Sequence, residues 1–204
     1  MKSGEAYLQS RSKRAFDVAI SHAASPANTL AVAIARRTFS ETDNPLLTQN
    51  RVGANGERMH IDKIRTLLDE DSSPINAMAR YFRKIGLDEL PQMELVRRGD
   101  MSIFGPRPLL EDEDAAQRAY LETTLDGQRL LAMEARYVRP YKRGLISTFG
   151  FEGHAGHLAS VEARYASNIL DGMRASMRYD FGVAKKGMIS VLRGELSVHQ
   201  VPAL

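Results

Sequence analysis

Apolar positions along this chain of 204 residues recur with different periods in different stretches. Met59-His60-Ile61-Asp62 alternates apolar and polar, as a half-buried strand does. Just before it, Gln49-Asn50-Arg51-Val52-Gly53 leads into Asn55-Gly56, a dipeptide that tolerates positive φ and so marks a hairpin turn. Ile75, Met78, Phe82 and Ile85 return every three or four residues, which predicts a helix opened at Ser73-Pro74 and stopped at Gly86. A second helix is expected from Asp88 through Met93, Leu95 and Val96 to Gly99-Asp100. Residues 101–104 then form a short apolar strand, followed by the rigid, exposed loop Gly105-Pro106-Arg107-Pro108. Residues 109–135 read as one polar helix, and Leu158, Val161, Tyr165 and Ile169 mark a face of another. Residues 173–193 read as a last helix, both amphipathic and basic. The fold class is α+β, mostly helical, with a small β-hairpin.

Residues 15–35, AFDVAISHAASPANTLAVAIA, lie between Lys13-Arg14 and Arg36-Arg37 and hold eight alanines among their 21 residues. They lack a run of about 18 apolar residues, so a conventional spanning helix is not expected. Asp17 also spoils the stretch as the core of a signal peptide. Pro26 stands near the middle, where proline removes a backbone donor and breaks or kinks a helix. Each limb of about 10 residues reaches about 15 Å, half of a hydrocarbon core about 30 Å thick. Basic residues at both ends favour one side of a membrane. The expectation is a re-entrant helix–break–helix, with Ser25 and Pro26 at the break, entering one leaflet and returning. An alanine-rich hairpin packed on the body fits the same composition. Residues 1–40 form this N-terminal unit and residues 41–204 the main domain.

Charge adds to that picture. The net charge is only +3, but six cations face two acids in residues 1–37, and five face Asp180 alone in residues 173–193. Cations gathered in two end segments suit an anionic membrane surface better than a nucleic acid. With no tryptophan and 7% aromatics, a base-stacking platform is not expected either. The absence of cysteine excludes disulfides and thiolate metal sites.

Adjacent acids are cheap: 25 in 204 positions give about three such pairs by chance. Asp69-Glu70-Asp71 and Glu111-Asp112-Glu113-Asp114 read as solvated faces or helix starts. Asp88-Glu89 differs in context, lying after Gly86, before Pro91, and between Arg80, Arg83 and Lys84 on one side and Arg97, Arg98 and Arg107 on the other. A helix start among cations suits phosphate chemistry, although Asp88 as a simple helix cap fits the same position. His154 and His157 are three apart, but the flanking glycines oppose a helix and no third ligand is evident, so no metal site is expected there.

Taken in order, KRAFD at 13–17, Ser25-Pro26, QNRVGANGERMHIDKIR at 49–65, FRKIGLDELPQ at 82–92 and GDMSIFGPRP at 99–108 resemble the bacterial sugar transferase family, the monotopic phosphoglycosyl transferases of the undecaprenyl-phosphate pathway. The resemblance covers roughly residues 11–192 and is strongest at 49–108. It implies transfer of a sugar phosphate from a UDP-sugar to polyprenyl phosphate with release of UMP, at the cytoplasmic face of the bacterial inner membrane. It further implies that Asp88 is the nucleophile forming a covalent phosphosugar and that Glu89 helps to hold Mg²⁺. Lys63, Arg65, Arg83 and Arg107 match phosphate-binding positions, and Pro106-Arg107-Pro108 the loop near the nucleotide. Homo-oligomerisation is left open.

This chain departs from the family pattern in its alanine-rich N-terminal stretch, in Ile64, and in Tyr141-Lys142-Arg143-Gly144 and Thr148-Phe149. Those departures support an alternative, a catalytically retired member acting as a membrane-surface or partner-binding module. The intact LDELPQ and GPRP motifs oppose it.

Overall fold

The computed structural model describes residues 4–39, 44–67, 74–147 and 160–193. Its first two helices are α1 (Gly4–Leu8), a single turn, and α2 (Arg11–Thr38), whose start is capped by the Ser10 hydroxyl accepting the Lys13 N–H at 3.1 Å. At 28 residues, α2 is about 42 Å long. Pro26 lies inside it, so the interruption expected at Ser25-Pro26 is not there. The reason is support from both sides of the proline. Lys13, Asp17, Ser21, Ala31 and Ala35, spaced by whole helical turns, are all buried along the body. Tertiary contact therefore holds both limbs in one helix despite the missing donor. Ser25 and Pro26 themselves are exposed. By length and composition α2 is long and apolar enough to cross a membrane, which corrects the expectation that no such helix exists.

The hairpin forms where Asn55-Gly56 placed it. Strands β1 (Leu46–Val52) and β2 (Arg58–Ile64) are antiparallel, registered from Leu46 opposite Ile64 to Val52 opposite Arg58. Asn55 (φ 55°) and Gly56 (φ 79°) take the left-handed conformations that the tight 3₁₀ turn between them demands. Helix α3 (Ala77–Ile85) starts later than Ser73-Pro74 suggested. Pro74 is extended and bridges Leu67, and the cap passes to Asn76, whose side chain accepts the Ala79 N–H at 2.9 Å.

Gly86 (φ 73°) ends α3 and turns the chain into a 3₁₀ segment, Leu87–Gln92, which runs on into α4 (Met93–Arg98). The expected strand appears as β3 (Ser102–Phe104), paired in parallel with β4 (Gly144–Ile146). Between them lie two helices, α5 (Glu111–Glu122) and α6 (Leu125–Tyr137), where one was expected. Thr124 starts the second by accepting the Gly127 N–H at 3.0 Å, and Gly127 lies so close to Leu121 that a Cβ there would collide with its backbone. Helices α7 (Val161–Arg174) and α8 (Met177–Arg193) follow, α8 starting after a break at Ala175-Ser176.

Two apolar clusters organise this body. One gathers Met59, Ile61, Leu95, Val96, Met101, Ile103, Phe104, Leu145 and Val183, bringing the hairpin, α4, both short strands and α8 together. The other joins Ala31, Ala35, Phe39, Ile64, Ala79 and Phe82 of α2, β2 and α3. The 3₁₀ segment spans the gap between them.

Candidate active site

Leu87 and Leu90 anchor that segment in the Phe82 cluster. Residues three apart eclipse in a 3₁₀ turn, so both leucines drop onto one side. Asp88 and Glu89 stand between them, 1% and 6% exposed, beside β2. The position before the turn is Gly86 and no side chain caps it, so Asp88 is not a helix cap. Carboxylates this buried need cations around them, and three separate elements supply them.

From the loop after β3, Arg107 forks onto Glu89, donating at 2.6 Å and 3.5 Å. Glu89 and, more weakly, Asp88 hold its guanidinium above its ordinary pKa against burial. From the last turn of α3, Arg83 is pushed down by burial and drawn back up by Asp88 and Glu89. From β2 comes Lys63, pushed down by burial and by Arg51, and drawn back up by Asp88 and Glu89. Two-residue alternation puts Lys63 on the same face of β2 as the buried Met59 and Ile61.

The same register explains two residues that sequence reading passed over as site residues. Arg51 lies opposite Met59 and Gln49 opposite Ile61, so both share that face. Arg51 donates to the Gln49 side chain at 2.8 Å and to the Pro108 carbonyl at 3.2 Å. Counting back through the Asn55-Gly56 turn in strict alternation was the signal that could have found them. Gln92, at the end of the 3₁₀ segment, is also buried.

The Gly105–Pro108 loop is rigid but less exposed than expected. Pro106 and Pro108 are buried, and Gly105 and Arg107 are partly open. Gly105 donates to the Ile146 carbonyl at 3.0 Å, Pro106 accepts from Gly144 at 2.9 Å, and Leu109 accepts from Val52 at 2.9 Å. The loop is thus tied on one side to β4 and on the other to β1. Arg65 directly follows the last residue of β2. Its backbone N–H bonds the Pro45 carbonyl at 2.7 Å, and among the described residues its side chain makes no ion pair. His154 and His157 lie outside the described residues.

A buried acidic dyad with cations converging from β2, α3 and a proline-framed loop is the arrangement that the motifs anticipated. Residues 8–194 match the family model described as bacterial sugar transferase. The chain belongs to the bacterial sugar transferase family. Among its relatives, the exopolysaccharide production protein ExoY of Sinorhizobium fredii is 31% identical over 146 residues, 55% of this chain and 64% of that protein. The UDP-glucose:undecaprenyl-phosphate glucose-1-phosphate transferase of Caulobacter vibrioides is 31% identical over 136 residues, 61% of this chain and 48% of that protein. A 39-residue stretch is 56% identical to the undecaprenyl-phosphate galactose phosphotransferase of Salmonella typhimurium, covering 19% of this chain and 8% of that protein. This bacterial sugar transferase spans less than two thirds of the length of these relatives.

One of the places where this bacterial sugar transferase departs from the family pattern is Tyr141–Gly144, and the structure gives that segment a physical account. Arg143 is buried and pairs with Glu134 at 3.6 Å, while Gly144 keeps the backbone of β4 against the loop. A Cβ on Gly144 would collide with the backbone nitrogen and oxygen of Gly105. Gly144→Ala is expected to lower stability by about 2 kcal/mol, read as a drop in urea midpoint at unchanged slope. A wild-type midpoint would mean that the two strands separate at little cost.

Proposed function

We propose that this chain transfers a sugar phosphate from a UDP-sugar to polyprenyl phosphate in two displacements on one phosphorus. The observation that carries the reading is the rigid, buried Asp88-Glu89 pair with Lys63, Arg83 and Arg107 around it. In the first step an Asp88 carboxylate oxygen bonds the phosphorus that bears the sugar. The bond from that phosphorus to the bridging oxygen breaks, and UMP leaves with the electron pair. In the second step an oxygen of polyprenyl phosphate attacks the same phosphorus and expels the Asp88 carboxylate, giving the polyprenyl diphosphate sugar. Phosphoryl transfer between anions is mainly a problem of positioning and charge neutralisation. A carboxylate nucleophile divides it into two easier steps.

Magnesium fits this donor set in one way. Among the described residues no group of three or more His, Cys, Asp or Glu side chains gathers, so at this site the acidic ligands on offer are Asp88 and Glu89. A hard cation that keeps water and substrate oxygens as most of its ligands needs no more. Glu89 would hold it, and when bound it would neutralise charge on the diphosphate. Arg107, Lys63 and Arg83 then bind and orient the phosphates from three sides. The buried dyad with its cations opposes the catalytically retired reading.

For the membrane we propose peripheral or monotopic attachment on the cytoplasmic face. Leu30 on α2 and Leu170, Met173 and Phe181 on the last two helices are exposed, and Arg174, Arg178 and Lys185 lie exposed beside them. Apolar side chains rimmed by cations suit an anionic bilayer surface. Cysteines introduced at the exposed positions Ser12 and Arg37, in a chain with none of its own, are expected to label from the same side of sealed vesicles. Labelling from opposite sides would mean that α2 spans.

The chemistry is tested by mixing the protein with UDP-sugar labelled in the transferred phosphate, without acceptor. A covalent label on Asp88, formed with an equivalent of UMP before acceptor is present and then discharged by polyprenyl phosphate, is the expected result. UMP release that needs the acceptor from the start, with no labelled protein, would favour direct transfer instead.

A further inference from the structure

The KRAFD motif is expected from its flanking position to serve the membrane, yet its charged side chains point into the protein. Arg14 donates to the carbonyls of Val96 at 2.5 Å and Arg97 at 2.6 Å, closing the end of α4. Lys13 is 3% exposed and bridges Asp17 at 3.0 Å and Asp180 of α8 at 2.9 Å. Asp17 is equally buried and uses both oxygens on β3. Its Oδ2 accepts the Ser102 hydroxyl at 2.9 Å, and its Oδ1 accepts the Ile103 N–H at 3.1 Å.

We propose that Asp17 is a positioning residue of the site, fixing β3 and through it the loop that carries Arg107 to Glu89. This rests on the reading of Asp88-Glu89 given above. The strand it grips has only three residues and two registered partners on β4, Gly144 and Ile146. So short a strand is weakly specified in register by pairing alone. Apolar packing of Ile103 and Phe104 buries them but is not directional. A carboxylate aimed at one N–H and one hydroxyl is directional, and Lys13 lets it stay charged in the core. Only Gly105 and Pro106, both tied to β4, separate Arg107 from Phe104. A shift of β3 along its axis therefore moves the guanidinium off Glu89. Misplacement of a positioning group by about 1 Å costs about 100-fold in a reaction of this kind.

The test compares Asp17→Asn and Ser102→Ala, singly and combined with Arg107→Ala, with Ser102→Ala leaving the Lys13–Asp17 pair in place should Asp17→Asn fail to fold. The first readout needs no ligand: the side-chain N–H signal of Arg107 in ¹⁵N spectra, assigned by its loss in Arg107→Lys. Slow exchange of that signal in wild type and its loss in both strut variants, with melting still cooperative, is expected. The second is calorimetric affinity for UDP, which should fall about tenfold or more in each single variant. In the Arg107→Ala background the strut variants should then cost almost nothing further, because the group they position is gone. An unchanged Arg107 signal in both variants, or strictly additive losses, would overturn the proposal. If wild type neither binds UDP nor captures a phosphosugar, while the Arg107 signal still responds to Asp17, the proposed function fails and the strut stands.

Discussion

Asp88→Asn is expected to abolish turnover by about four orders of magnitude or more, while the protein still folds and binds UDP-sugar. The amide is the same size as the carboxylate, so the 3₁₀ segment held by Leu87 and Leu90 keeps its place. What disappears is the oxygen nucleophile, and with it the covalent phosphosugar. Glu89→Gln should behave differently. The nucleophile remains, so labelled protein still forms, but slowly and with a higher demand for added Mg²⁺. Arg107 also loses the fork at 2.6 Å and 3.5 Å that now holds it. Asp88→Glu should not rescue, because a side chain one carbon longer on a rigid, buried turn puts the oxygen in the wrong place. The measurements are single-turnover UMP release and mass spectrometry of the intact protein. Wild-type-like turnover by Asp88→Asn would remove it as nucleophile, whatever Glu89→Gln does.

How far the sequence revealed this site depended on how local each signal was. Asn55-Gly56 declares a hairpin by its own φ preferences, and both strands formed around it. The dyad stood out because Gly86 and Pro91 frame it within six residues. Lys63, Arg83 and Arg107 were flagged by the family resemblance, and the fold brings all three to the dyad. Arg65 was flagged by the same resemblance and lies one residue past the end of β2, its backbone N–H on the Pro45 carbonyl.

Longer-range features were illegible for physical reasons. Asp17 meets Ser102 across 85 positions of chain, and nothing in the apolar pattern of residues 15–35 announces that. Its neighbour Lys13 was counted as a flanking cation because charge alone does not reveal burial. Pro26 was read as a break because intrinsic propensity is a weak prior that tertiary contact overrides. The division at Thr124 was missed because a capping threonine within a polar run changes no periodicity.

The largest stability effect is expected at Lys13. Lys13→Met keeps the unbranched apolar stem of the side chain but removes the ammonium shared by Asp17 and Asp180. Both carboxylates are 3% exposed, so each is left charged in the core, Asp180 with the Tyr7 hydroxyl at 2.8 Å and Asp17 with the β3 donors. Breaking a buried ion pair from one side costs about 3–5 kcal/mol. The loss should depend on pH in a definite direction. Burial already lifts the Asp180 carboxyl above its ordinary range, with Lys13 and Tyr7 opposing and Asp17 adding to the lift. An acid whose folded pKa is raised contributes most below its unfolded pKa and loses that contribution as pH rises through the folded value. Removing Lys13 takes away the cation that opposes this lift, so the Asp180 carboxyl rises further. The deficit of Lys13→Met relative to wild type is therefore expected to be largest at neutral pH and to shrink in mild acid, as the buried Asp180 carboxyl takes up a proton. Adding Asp180→Asn should recover part of the loss at pH 7 and flatten the pH dependence, since a single charge then remains with its β3 donors. Urea midpoints of the three proteins at both pH values decide the matter. A deficit that stays constant with pH would assign the effect of Lys13 to its ammonium over the faces of Phe16 and Phe104, whose ring centres lie 5.9 Å and 5.6 Å from it.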